Sequence, residues 1–161
     1  MSLIQQANHH HSVFASMLAD KGRANPEQAQ QHLLQADMLY NQILNQDMGN
    51  DLVAYQLATL YLQSNRNFLV TRLLEPLATR TSEVGVLNNL GAAYRNEHMN
   101  EEAEFWFKKA LKVEKHPDIL ANLCALAVNK GNPEDGIKYG RECLRMAPEH
   151  PQGDWNLGLR S

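Results

Sequence analysis

The stretch NNLGAAYRNEH, residues 88–98, places a leucine, a glycine and a tyrosine at Leu90, Gly91 and Tyr94, the three- and four-residue steps of one helix face. Comparing the chain with itself brings three further segments into the same register: YQLATLYLQSN at 55–65, ANLCALAVNKG at 121–131 and WNLGLRS at 155–161. The small residue after the leucine is Ala58, Gly91, Cys124 and Gly158, so the spacing is 33, 33 and 34 residues. A fixed period in this range implies units stacked in a row, each packed against its neighbours.

Within each unit apolar residues recur every three or four positions, the pattern of amphipathic helices. Gly, Asn and Pro mark the joints: SNRN at 64–67, NEHMN at 96–100 and KGNPED at 130–135. Each unit therefore reads as helix, short turn, helix.

These residues resemble the tetratricopeptide repeat family, whose pattern has Leu, a small residue and Tyr on the first helix, then small, aromatic, small on the second, with a closing Pro. The unit from Val84 fits through Leu90, Gly91, Tyr94, Ala103, Phe107 and Ala110. The unit from Pro117 fits through Leu123, Cys124, Ala127, Gly131, Cys143 and Pro148. Small side chains at Gly91 and Ala103 let paired helices approach while Leu90 and Phe107 fill the space beside them. The unit from Asp51 is divergent, with Val70, Leu74 and Leu77 on its second helix and Pro76 inside it, which is expected to bend that helix or spoil a turn.

The resemblance implies an all-α fold: a right-handed solenoid of antiparallel helix pairs without strands, spanning 1–161 as one domain. Residues 1–50 form an atypical N-terminal pair, in which Asn25 caps a helix opening at Pro26 and carrying Leu33, Ala36, Leu39, Tyr40 and Ile43. Repeats follow at 51–83, 84–116 and 117–150, and a C-terminal helix at 151–161 reads as a truncated repeat, giving about nine helices. The chain is thereby expected to be a fragment of a longer protein, or to end in a helix, with Trp155, Leu157 and Leu159, through which copies self-associate.

Composition narrows the partners. A formal charge of −3 with dispersed Lys and Arg leaves no basic patch for nucleic acid or an anionic membrane. No apolar run approaches the roughly 18 residues of a membrane span, and a cytoplasmic location is expected. The two cysteines, Cys124 and Cys143, lack CxxC spacing and read as reduced apolar fillers.

Catalysis is not expected, and neither a metal nor a cofactor is implied. His9, His10 and His11 point about 100° apart on a helix, cannot converge on one ion, and read as a polar face. Glu101, Glu102 and Glu104 open a helix ending in Lys108, Lys109 and Lys112, the order that suits the helix dipole and i,i+4 pairing. In EFWFKK, Phe107 and Trp106 read as packed aromatics and Phe105 as exposed.

The amides carry the functional reading. The residue before each Leu–small pair is Gln56, Asn89, Asn122 and Asn156; seven residues on, along the same face, stand Gln63, Asn96 and Asn129. Both rows lie on first helices, which line the concave groove in a solenoid of this kind. A carboxamide both donates and accepts, matching the amide of an extended backbone, and Tyr55, Thr59, Asn88, Arg95, Asp118 and Trp155 stand beside the rows as sources of selectivity. The row is similar to the asparagine ladder of the tetratricopeptide repeats in O-linked N-acetylglucosamine transferases. That resemblance implies a non-catalytic scaffold binding a protein or extended peptide; the competing reading is that Asn here only solvates a groove. The helix HPQGDWNLGLRS also resembles tetratricopeptide segments preceding glycosyltransferase domains, which implies as an alternative a substrate-presenting domain of a larger glycosyltransferase. A groove clamping a C-terminal carboxylate with several basic residues is not expected, because Arg95 is the one basic residue on the presumed groove face. Asn89 and Asn122 are expected to be replaceable by Ala with little change in melting.

Overall fold

In the computed structural model the described residues, 1–20 and 22–147, form eight helices and no strand. They are α1 (Leu3–Ala19), α2 (Pro26–Gln46), α3 (Asp51–Gln63), α4 (Asn67–Ala78), α5 (Val84–Asn96), α6 (Asn100–Val113), α7 (Pro117–Asn129) and α8 (Pro133–Met146). This is the expected all-α array of helix pairs. The expected ninth helix, with Trp155 and Asn156, lies outside the described residues. The chain divides into two compact units, the first Met1–Leu69 and the second beginning at Val70.

The 33-residue period is written into the helix ends. The N-caps of the first helices are Asn50, Glu83 and His116; Asn50 accepts from the Val53 N–H at 3.1 Å and His116 Nδ1 from the Asp118 N–H at 3.0 Å. Asn25 caps α2 by accepting from Glu27 and Gln28, with Pro26 at the first helical position, where no donor is missed.

Each first helix closes in the same way. The N–H groups of Arg66, Met99 and Asn132 donate to the carbonyls of Tyr61, Tyr94 and Ala127 at 2.8, 2.9 and 2.8 Å. One residue earlier, Asn65, His98 and Gly131 have φ of 61°, 61° and 77°. This is a left-handed C-terminal closure with the six-to-one hydrogen bond of a Schellman turn, made three times with three different residues. His98 has a Cβ where glycine is favoured. His98→Gly is expected to stabilise the chain by about 0.5–1 kcal/mol, measured as a higher urea midpoint; a lower midpoint would show that the imidazole itself holds the turn.

In the second unit α5 pairs with α6 and α7 with α8, while α6 packs against α7. Gly91 lies directly beneath the Phe107 ring: a Cβ on Gly91 would sit 2.5 Å from two ring carbons. Phe107, Ala103, Ala110, Leu87 and Leu90 are all fully buried. The same register carried one period on places Gly136, Gly140 and Cys143 where Ala103, Phe107 and Ala110 stand. Gly131, assigned from sequence to the small-residue pattern of this repeat, is instead the left-handed residue of its turn. Size is exchanged across the pair: glycine under phenylalanine in one repeat becomes Cys124 against the Gly140 backbone in the next. Burial pushes the Cys124 thiol up, and the Cys143 Sγ–H donates to the Pro117 carbonyl at 3.2 Å, so both thiols act as packed, protonated fillers.

Pro76 sits in the last turn of α4, which ends two residues later at Ala78. Arg80 and Thr81 then donate to the Leu77 carbonyl, both at 2.9 Å, and the Thr79 hydroxyl donates to that of Pro76 at 2.6 Å. The N–H missing at Pro76 is the one that would donate to the Arg72 carbonyl, so the gap in the helix ladder is confined to its last turn.

Candidate functional site

In the first unit, Tyr55, Gln56, Thr59 and Gln63 lie on α3. Gln63 Oε1 stands 2.8 Å from His11 Nε2, and the other ring nitrogen of His11 is 3.0 Å from the Tyr40 hydroxyl, which donates to Asn8 Oδ1 at 2.8 Å. His10 Nδ1 meets His32 Nδ1 at 2.9 Å. The reading of the three histidines as a polar face holds for His9, which is exposed, and fails for His10 and His11, which are half-buried. Burial lowers both, and His32 and His9 lower His10 further. The signal missed in sequence is that His32, Tyr40 and Gln63 supply partners to α1.

Gln56 differs from its neighbours. Its Oε1 is buried, and no hydrogen-bond donor among the described residues reaches it. The Thr59 hydroxyl, by contrast, donates to the Tyr55 carbonyl at 3.0 Å.

The repeat tyrosines of α3 and α5 each reach back to the preceding second helix. In the first unit the Tyr61 hydroxyl donates to Asp37 Oδ1 at 2.7 Å, and the same carboxylate takes Asn41 Nδ2 at 2.6 Å and Arg66 Nη1 at 3.3 Å. In the second unit the Tyr94 hydroxyl donates to Glu75 Oε1. Burial pushes Tyr40, Tyr61 and Tyr94 up to about 12, with the Glu75 carboxylate adding to the rise at Tyr94.

In the second unit the amide rows lie on α5 and α7. Asn89 is half-buried, Asn96 and Asn129 are exposed, and Asn122 is buried at 8% exposure in a helix whose neighbouring Leu120, Ala121, Leu123 and Cys124 are core. The Asn122 carboxamide is bonded at both ends: Arg95 Nη1 donates to its Oδ1 at 2.7 Å, and its Nδ2 donates to Asn88 Oδ1 at 2.8 Å. Two first helices of successive repeats are therefore joined by a part-buried polar chain. The expectation that Asn122→Ala is nearly free does not survive this geometry, since truncation strands a half-buried guanidinium and an amide acceptor. Arg95 and Asn88 come together with Asn122; Asp118 stands exposed at the start of α7; Asn156 and Trp155 lie outside the described residues.

On the opposite edge of this unit Glu104 accepts from Lys130 at 3.0 Å and from Lys108 at 3.2 Å, and these partners, Lys130 first, hold its carboxyl below the usual range. The expected i,i+4 pair is thus widened into a tie between α6 and the end of α7. Phe105 is exposed, with Trp106 edge-on to it and the Lys109 ammonium 5.3 Å from the Trp106 ring. No helix among the described residues is long and apolar enough to cross a membrane.

Helix pairs at a 33-residue period, closed by the same left-handed turn, define a helical-repeat protein. Residues 84–117 match the family model described as tetratricopeptide repeat, so the chain carries that repeat. Over 60 residues it is 38% identical to Protein O-mannosyl-transferase TMTC1 of Homo sapiens; the match takes in 37% of this chain, and the chain spans only 7% of that protein's length. Solved structures of similar fold include MamA 41-end from Desulfovibrio magneticus RS-1, with a TM-score of 0.66 at 14% identity, covering 91% of this chain and 97% of that one. MamA MSR-1 C2 gives 0.64 at 17% identity, covering 89% and 95%. TTC0263, a thermophilic TPR protein of Thermus thermophilus, gives 0.52 at 14% identity, covering 98% of each chain. At these identities the likeness is one of fold.

Proposed function

We propose that the chain is a non-catalytic scaffold that binds protein partners in extended form through amide side chains of its first helices, α3 in the first unit and α5 and α7 in the second. Tetratricopeptide repeats are protein-interaction modules, and the amides on α3, α5 and α7 give that general role a chemistry. The observation that carries the reading is Gln56. Its buried Oε1 has no donor among the described residues, and leaving such an acceptor unmade costs about 1–3 kcal/mol. A peptide N–H completes it once the Gln56 side chain turns its oxygen outward, a movement that removes the unmade acceptor. In the second unit the half-buried Asn89 on α5 presents the same carboxamide, and an amide contact to a peptide backbone accepts many side-chain sequences.

Selection from a displayed library of random 12-residue peptides tests this. Wild-type chain is expected to enrich peptides, and Gln56→Leu to weaken them about ten-fold, an effect of the size of one buried hydrogen bond. The same substitution is expected to leave melting unchanged or raised, because it removes an unsatisfied polar atom without opening a cavity. Equal peptide binding by the two proteins would refute the role of Gln56.

A second reading is favoured by the match to Protein O-mannosyl-transferase TMTC1: the repeats present substrate within a larger glycosyltransferase. A glycosyltransferase domain in the same open reading frame would support it, and an open reading frame without one would remove it.

A further inference from the structure

We propose that Arg95, Asn122 and Asn88 form a receptor for a carboxylate side chain, so that the peptide bound by this scaffold carries an Asp or Glu at the α5–α7 crossing. The inference rests on the peptide-binding reading and adds the partner's chemistry to it.

The argument is a count of donors. Arg95 has five N–H donors, of which the described structure uses one, toward Asn122 Oδ1. Asn122 passes the polarity on, donating through Nδ2 to Asn88 Oδ1. The acceptors in this chain of three are thus taken up inside it, while four donors of Arg95, one of Asn122 and both of Asn88 take no part in it. Arg95 enters none of the ion pairs among the described residues: Asp37 pairs with Arg66, Glu104 with Lys108 and Lys130, Glu142 with Lys115, and Asp118 with His116.

A half-buried cation beside polarised amides, with no carboxylate of its own, is short of one negative charge and of acceptor atoms. Its half-burial strengthens any ion pair formed there relative to one in open water. A carboxylate meets both needs, taking two parallel N–H bonds from the guanidinium fork and a third from Asn88. One guanidinium matches one carboxylate charge; a phosphoryl group, carrying nearly twice that charge, would need a second cation that this cluster lacks. A lone arginine set among amides differs from a clamp of several basic residues, and it suits a side-chain carboxylate within an extended chain.

Two experiments test it. In the first, the Arg95 Nε–Hε resonance is followed by NMR while N-acetyl-aspartate methylamide, N-acetyl-asparagine methylamide and inorganic phosphate are titrated separately. The aspartate probe is expected to shift Arg95 and the Asn88 and Asn122 side-chain amides saturably, with the asparagine probe and phosphate several-fold weaker. Equal response to the asparagine probe, or a stronger response to phosphate, overturns the assignment.

In the second, peptides selected as above are compared with versions in which each Asp or Glu becomes Asn or Gln. One such change is expected to weaken binding to wild type about ten-fold, and Arg95→Gln, which can still donate to Asn122, is expected to abolish the difference. Arg95→Lys, which keeps the charge without the fork, should recover part of it. Peptides that bind without acidic preference would sink this inference and leave the scaffold reading standing. If no peptide is selected, the scaffold reading falls and the aspartate titration still decides whether the carboxylate site exists.

Discussion

Phe107→Ala is expected to lower the unfolding free energy by about 3–5 kcal/mol, a large share of the roughly 5–15 kcal/mol that holds a domain of ordinary stability. The ring is fully buried and lies on Gly91, where no side chain can move in to refill its volume. The reverse change, Gly91→Ala, drives a methyl group to within 2.5 Å of the ring and is expected to cost about 1–3 kcal/mol through overpacking. The two effects should not add. With the ring gone, a methyl at position 91 enters the space it left, so the double variant is expected to be more stable than the sum of the single losses predicts. Urea unfolding of the four proteins measures this coupling. Strict additivity would show that Gly91 and Phe107 do not share one space. The following repeat already displays the exchanged solution, Cys124 facing Gly140.

Asp37→Ala is expected to cost about 1–3 kcal/mol, although Asp37 is only half-buried. Its carboxylate accepts from the Tyr61 hydroxyl, Asn41 Nδ2 and Arg66 Nη1, and Tyr61 is itself buried at 7% exposure. Removing the acceptor strands the phenol. Arg66, with 36% of its side chain exposed, recovers water and contributes little to the loss. Asp37→Asn should be milder, since an amide oxygen still accepts from Tyr61, and Tyr61→Phe with Asp37→Ala should cost less than the two singles together. A loss below about 0.5 kcal/mol for Asp37→Ala would show that water satisfies Tyr61.

The helix pairs were legible because Leu, small, Tyr recurs at a fixed step and Gly, Asn and Pro punctuate it. Their turns were half legible. Gly131 announces a left-handed closure, whereas Asn65 and His98 adopt the same conformation without a glycine to mark it. The third repeat lost its register at the second helix because the aromatic landmark is absent: Gly140 stands where Phe107 stood, and Gly131 takes a place in the pattern that belongs to Gly136. Partners of α1 were illegible because His32, Tyr40 and Gln63 lie 22, 29 and 52 residues away from the histidines they meet.

The amide rows were legible as a pattern and not as an energetic arrangement. Period and helical phase place Asn89 and Asn122 in equivalent positions, yet one is half-buried and the other is buried and tied to Arg95 and Asn88. That tie runs from α7 to α5, and the pattern of a single helix does not record it. Among the described residues Gln56 shows a buried acceptor without a donor, a fact that only packing reveals.

The scaffold claim is tested most directly by amide chemical-shift mapping of the intact chain with a peptide recovered from the random 12-residue library. The account predicts saturable shifts on first helices, on α3 with the Gln56 side-chain amide or on α5 and α7 with those of Asn89 and Asn122, with α6 and α8 little changed. Shifts confined to α6 and α8, around Phe105 or Glu104, would contradict it.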